Sequence, residues 1–202
     1  MSDVAIIDNG GANIASLLFA LERIGATARL TTDPTELRSA RGVILPGVGA
    51  AADAMSRLRS LGLVELIPQL KQPVLGICLG MQLLFAASEE SGDTSDTECL
   101  GIIAERVARM SVREGHPVPH MGWNQLHLRA ASPLLAGLDD GDYVYFVHSY
   151  AAPLGPWTMA SCDYAGEFSA VVRHENFHGV QFHPERSARV GSRLLANFLA
   201  LR

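Results

Sequence analysis

Cysteine is scarce in this chain: Cys78, Cys99 and Cys162 are the only three in 202 residues. Three scattered thiols cannot build a disulfide framework. Their odd number, with no secretory segment in view, points to a reducing compartment and a cytoplasmic location. Residues 1–8 carry no basic leader region and only a four-residue apolar run, so they read as a first β-strand. Long apolar runs are missing as well, and none approaches the length needed to cross a bilayer. Basic charge is in deficit. Sixteen Lys and Arg stand against 21 Asp and Glu, for a net charge of −5, which makes the chain a poor general binder of nucleic-acid phosphates. No repeat and no linker-like stretch divides it, so residues 1–202 are expected to form one domain.

What is present alternates between strand and helix. Residues 4–7 form a short apolar run, and Asn9-Gly10-Gly11-Ala12-Asn13 is a turn. Residues 14–24 have helical spacing, with Leu17, Leu18, Leu21 and Ile24 on one face. Residues 28–31 read as a strand, and Asp33-Pro34 opens a short helix. Residues 43–45 are a third strand, ended by Pro46-Gly47-Val48-Gly49. Residues 53–61 and 64–70 read as helical, and 74–77 as a fourth strand. This order predicts an α/β fold: a three-layer, mostly parallel central sheet with helices on both faces and a flavodoxin-like core. The second half reads as strand-rich, at 102–110, 124–128, 143–148, 157–162, 170–173 and 177–182. A final helix at 187–201 faces Val190, Leu194, Leu195 and Phe198 inward. The acidic stretch 88–98 reads as a mobile surface loop.

Parallel sheets gather their sites at the carboxyl ends of the strands. One such end holds Gly76-Ile77-Cys78-Leu79-Gly80, a Gly-x-nucleophile-x-Gly pattern with sulfur as the nucleophile. The helix that follows is expected to aim its N-terminus at the sulfur and favour thiolate. The base that fits is His183, in Gln181-Phe182-His183-Pro184-Glu185. Glu185 lies two residues on, so in extended chain it shares a side with the imidazole and can orient it. Oxyanion donors are expected from the backbone N–H of Leu79 and from the Gly47-Val48-Gly49 loop, through Val48 and Gly49. A thiolate with a histidine base suits acyl transfer from an amide. The triad alone does not separate a glutaminase from a cysteine peptidase. His174 and His178 lie near His183, but no cysteine or carboxylate completes a ligand set, so no metal and no cofactor is expected.

Those two catalytic segments resemble the signature of the class I (triad) glutamine amidotransferases. Three further segments narrow the resemblance: Pro46-Gly47-Val48-Gly49, Pro119-His120-Met121-Gly122-Trp123-Asn124 and Tyr145-Phe146-Val147-His148-Ser149-Tyr150. Together they are similar to the glutaminase subunits of imidazole glycerol phosphate synthases, over nearly the whole chain. The resemblance implies that Cys78 forms a γ-glutamyl thioester, with His183 as base and Glu185 orienting it. It implies that Gln82, Gly49, Ser149 and Tyr150 surround bound glutamine. It also implies a heterodimer with a (β/α)8-barrel cyclase subunit, which uses the ammonia to turn PRFAR into imidazole glycerol phosphate and AICAR in histidine biosynthesis. Trp123, Asn124, His120 and Asn13 are then expected at the partner interface. The remaining readings are a free-standing γ-glutamyl peptidase, an amidotransferase subunit of another pathway, and a non-catalytic homologue. One stretch departs from the family's Tyr-Gly-x-Gly-Asn: Asn9 replaces the aromatic and Ala12 the second glycine.

Overall fold

The structure is a computed structural model that describes residues 4–10, 14–90 and 96–201. In chain order the first half contains β1 (Val4–Ile7), α1 (Ile14–Arg23), β2 (Ala28–Thr31), α2 (Pro34–Ser39), β3 (Gly42–Gly47), α3 (Ala51–Ser60), β4 (Val74–Cys78) and α4 (Leu79–Gln82). The second half adds β5 (Phe85–Ser88), β6 (Thr97–Glu98), β7 (Ile103–Arg109), β8 (His120–Gln125), β9 (His127–Leu128), β10 (Tyr143–His148) and β11 (Tyr150–Ala151). It ends with β12 (Thr158–Asp163), β13 (Glu167–His174), β14 (Phe177–Val180) and α5 (Ala188–Ala200).

Eight strands form the central sheet in the order β2-β1-β3-β4-β14-β13-β12-β9. The five strands from β2 to β14 are parallel, and β13, β12 and β9 continue the sheet antiparallel. β1, β3 and β4 are buried along their whole length, as strands covered on both faces must be. Their side chains divide with the strand period of two. Val4, Ile6, Ile44, Leu75 and Ile77 join the core under α1 and α5. Ala5, Ile7, Val43, Leu45 and Val74 join the core that holds Leu37 of α2 and Met55 and Leu58 of α3. Each fully buried Ile or Leu contributes roughly 1.5–3 kcal/mol of transfer free energy, so the layers are held by the sheet's two apolar faces. Val190, Leu194, Leu195 and Phe198 of α5 point into the first of these cores.

Three expectations need correction. Residues 64–70 form only a short 3-10 turn at Ile67–Gln69, because Pro68 interrupts the helical ladder. The helix after Cys78 is one turn long, and Phe85 already begins β5. A full helix dipole is therefore not aimed at the sulfur; the free N–H groups of that first turn remain. The acidic stretch is not simply a solvated loop. Ser88 is fully buried and Thr97 nearly so, and Glu89 pairs with Arg106 at 2.9 Å and accepts from the Arg109 N–H at 2.6 Å. Residues 91–95 and the expected interface residue Asn13 lie outside the described residues.

Candidate active site

The sheet register brings the site together. Gly47 of β3 is paired with Cys78 of β4, so the Val48 and Gly49 loop leaves the sheet beside the sulfur. Val180 of β14 is paired with Ile77, which brings Gln181 level with Cys78 and His183 just beyond the strand end. Cys78 itself has φ +54° and ψ −113°, a conformation that non-glycine residues rarely hold. Such strain persists only where the surroundings enforce it, and it lifts the thiol off the end of the sheet. The flanking glycines make the turn possible. A Cβ on Gly80 would lie 1.8 Å from the Leu45 carbonyl oxygen, and one on Gly76 would lie 2.6 Å from that of Gly80.

Cys78 is 7% exposed, buried against the core yet open to a pocket. That pocket, about 330 Å³, is lined by Val48, Gly49, Leu79, Gln82, Glu90, Ser149, Tyr150 and His183 around the sulfur. It therefore gathers all the residues expected at the oxyanion and substrate positions, together with the thiol and the base. A smaller cavity of about 220 Å³ shares Val48, Val147 and His183 with it and is otherwise lined largely by apolar groups, with Glu185 and Arg186 at one side.

His183 Nδ1 lies 2.8 Å from Glu185 Oε1, the geometry of an imidazole N–H donating to a carboxylate. Burial opposes charge on this ring, but hydrogen bonding to Cys78 and Glu185, reinforced by their charge, outweighs it and raises the His183 pKa to about 10. Its backbone is locked as well. The His183 N–H donates to the Tyr145 carbonyl at 2.9 Å. Buried Ser187 donates to the His183 carbonyl at 2.6 Å while accepting from the Tyr145 N–H at 3.0 Å.

Further side chains join the triad and the pocket. Gln181, fully buried, donates through Nε2 toward Cys78 Sγ at 3.8 Å. Gln82 Nε2 donates to Gln181 Oε1 at 2.9 Å and to the Tyr150 carbonyl at 2.8 Å. Glu90 lines the pocket and accepts from the Ala51 N–H at 3.0 Å; burial raises its pKa, partly offset by that bond. Asn9 donates through Nδ2 to the Pro46 carbonyl at 2.6 Å, which ties the first strand end to the base of the Val48 loop. Of these, Gln82 is expected at the glutamine site from the resemblance and Glu90 is an acid shortly after the nucleophile turn; Gln181 and Asn9 carry no such signal.

The expected interface residues divide. Trp123 is 52% exposed and Met121 63%, on one face of the β8–β10 ribbon, and Trp123 packs edge-on against Tyr145 at 5.9 Å. Asn124 is half-buried and donates to the Asp163 carbonyl at 3.0 Å. His120 is 2% exposed, stacked between Phe146 and Tyr164, so it lies behind the ribbon's outer face and is not part of it. Strand alternation explains this, because His120 points opposite to Met121 and Trp123. The other two cysteines are remote from this chemistry: burial pushes both Cys99 and Cys162 up to about 12.

Comparisons with known proteins identify the family. The family model "Glutamine amidotransferase class-I" matches residues 5–201. Imidazole glycerol phosphate synthase subunit HisH of Xanthomonas axonopodis pv. citri (strain 306) is 55% identical over all of this chain and 98% of its own length. The HisH subunit of Shewanella oneidensis is 50% identical over 98% of this chain and 96% of its own. Among solved structures, one titled as a glutamine amidotransferase superposes with a TM-score of 0.74 at 19% identity, covering 98% of this chain and 97% of that one. PurLQS from Thermotoga maritima gives 0.73 at 19%, covering 99% of each. Matched to that model over nearly its full length, and half-identical to these relatives from end to end, the chain belongs to the class I glutamine amidotransferases, among the HisH subunits of imidazole glycerol phosphate synthase.

Proposed function

We propose that this chain is the glutaminase subunit of an imidazole glycerol phosphate synthase. The observation that carries the reading is one pocket holding a strained thiol, an imidazole with its carboxylate, and a glycine-flanked backbone loop. Glutamine enters with its side-chain amide at Cys78. The thiolate attacks the amide carbon, and the oxyanion is met by the N–H of Leu79 and by the Val48 and Gly49 peptides. The His183 imidazolium, held by Glu185, gives its proton to the departing nitrogen, and ammonia and a γ-glutamyl thioester result. His183 then takes a proton from water, the hydroxide attacks the thioester, and glutamate leaves as sulfur recovers its negative charge. Among the described residues lining the pocket, Glu90 is the one carboxylate, placed to receive the α-ammonium of the substrate.

Ammonia is consumed by a (β/α)8-barrel cyclase subunit that docks on the ribbon carrying Met121 and Trp123. Exposed large apolar side chains side by side on one strand face suit a partner surface. The small cavity across His183 reaches Arg186, whose guanidinium lies 4.4 Å from the Tyr145 ring centre, next to Trp123. It offers ammonia a route from the thiol toward that face. The free thiols of Cys78, Cys99 and Cys162 suit a reducing cytoplasm.

The test is the steady-state glutaminase rate of the purified chain, alone and with the cyclase subunit plus its nucleotide ligand. A large gain with both present is expected, because the Gly49 peptide at φ +88° has space to reorient. Equal rates in both conditions would remove the coupling. Full activity on γ-glutamyl peptides without any partner would fit a free-standing peptidase instead.

A further inference from the structure

One buried network is not used by the mechanism above. His148 lies on β10, nearly enclosed, with Nδ1 at 2.9 Å from the Tyr150 carbonyl oxygen. A carbonyl only accepts, so His148 Nδ1 carries the proton. Its Nε2 lies 3.0 Å from His120 Nδ1. Burial lowers the pKa of His148 to about 3 and of His120 to about 4, so both rings are neutral at working pH. A neutral His148 with a proton on Nδ1 has a bare Nε2, and His120 must then donate from its own Nδ1. That leaves His120 Nε2 to accept, and Asn124 Nδ2 lies 3.4 Å away. The Tyr150 carbonyl at one end thus reveals where each proton lies, and the bond from His120 supports the same His148 tautomer from the other side.

The same Tyr150 carbonyl receives Gln82, and Gln82 also binds Gln181, whose amide faces Cys78 Sγ. Gln82 thereby spends both of its N–H groups in the wall of the pocket it lines. Loss of the proton arrangement at His148 would free the Tyr150 carbonyl to turn and release Gln82. The other end of the chain is Asn124, adjacent to the exposed Trp123 on β8.

We propose that His120 and His148 are a positioning pair for the glutamine pocket: their hydrogen bond selects the His148 tautomer that holds the Tyr150 carbonyl against Gln82. His148 is part of the pocket wall, and His120 lies behind it on the inner side of the ribbon. The inference rests on the glutaminase reading for its kinetics. The tautomers can be read without it.

The experiment compares wild type, His120→Phe and His120→Asn as complexes with the cyclase subunit and its nucleotide ligand. Phenylalanine keeps a ring between Phe146 and Tyr164 but removes the donor. Asparagine sets an amide N–H about where Nδ1–H stood. In His120→Phe the KM for glutamine should rise roughly three- to tenfold, the equivalent of one net hydrogen bond, while kcat changes less. His120→Asn should return KM to within about twofold of wild type. An unchanged KM in His120→Phe, or equal losses in both variants, overturns the proposal. Long-range proton–nitrogen spectra of the wild-type rings should show Nδ1–H on both histidines, and an Nε2–H on His148 overturns it equally. Should His120→Phe not fold, these spectra and the His120→Asn kinetics decide. A wild-type complex with no glutaminase activity overturns the glutaminase reading instead, and the spectra alone then judge the pair.

Discussion

His183 carries the clearest electrostatic consequence at the scale of single residues. Its pKa in the fold is raised from 6.5 to about 10, so the folded state holds that proton more tightly than the unfolded chain. The resulting stabilisation is complete below about pH 6.5 and is lost as pH climbs through about 10. Glu185→Gln removes the orienting charge but can still accept from the ring N–H. Its melting temperature should therefore fall below that of wild type at pH 6 and converge with it toward pH 10; a gap that stays constant with pH would remove the ion-pair argument. A thiol reagent gives a second check. Cys99 and Cys162 are buried and pushed up to about 12, whereas Cys78 opens to the pocket. Iodoacetamide at pH 8 should label one cysteine per chain, Cys78, and glutamine should protect it; labelling spread over all three would count against the site. Both the triad and its spacing are legible in the sequence, because a glycine-flanked nucleophile and an i, i+2 pair on an extended chain are local patterns. Gln181 and Asn9 are not, since their roles come from strand register and from a contact across 37 positions.

Among elements, the turn from β4 into α4 shows how much of the site is backbone. Gly80 and Gly49 are both glycines beside the sulfur, yet their substitutions should behave differently. A methyl on Gly80 meets the Leu45 carbonyl at 1.8 Å, so β3 and α4 must separate. Gly80→Ala should cost more than about 4 kcal/mol or prevent folding, the range of forced core disruption. A methyl on Gly49 meets nothing within 4 Å, and only its φ of +88° is strained. Gly49→Ala should cost about 1–2 kcal/mol in stability and lose activity mainly in kcat, as the loop peptide is biased away from the oxyanion. Chemical denaturation with kinetics on the same samples separates the two, and equal destabilisation would contradict the packing. The parallel strands were readable because doubly covered strands are unbroken apolar runs. The one-turn length of α4 was not, because Leu83, Leu84 and Phe85 fit a helix and a buried strand equally well. Tertiary pairing of Phe85 with Ile103 decides it. The β8–β10 ribbon likewise depends on pairing between strands far apart in the chain, which no local pattern states.

On the scale of the whole molecule, the pocket and the exposed ribbon are two faces of one packed unit. Trp123 leans on Tyr145, Tyr145 lies under Arg186, and Arg186 follows Glu185 directly in the chain. On the inner side of the same strand, His120 begins the path to Gln82. A partner seated on the ribbon would therefore press on the triad turn and on the pocket wall at once. This arrangement suits an enzyme half that waits for its partner, since ammonia released without one is lost. It also makes Trp123 the side chain whose removal should tell most. The indole is half exposed, so Trp123→Ala should leave the melting temperature nearly unchanged, while the Kd for the cyclase subunit rises by at least about tenfold, as for a central aromatic anchor. Calorimetric titration of the variant with the cyclase subunit measures this directly. Undiminished affinity in Trp123→Ala would move the docking surface away from the ribbon and leave the stack from Trp123 to Arg186 as packing alone.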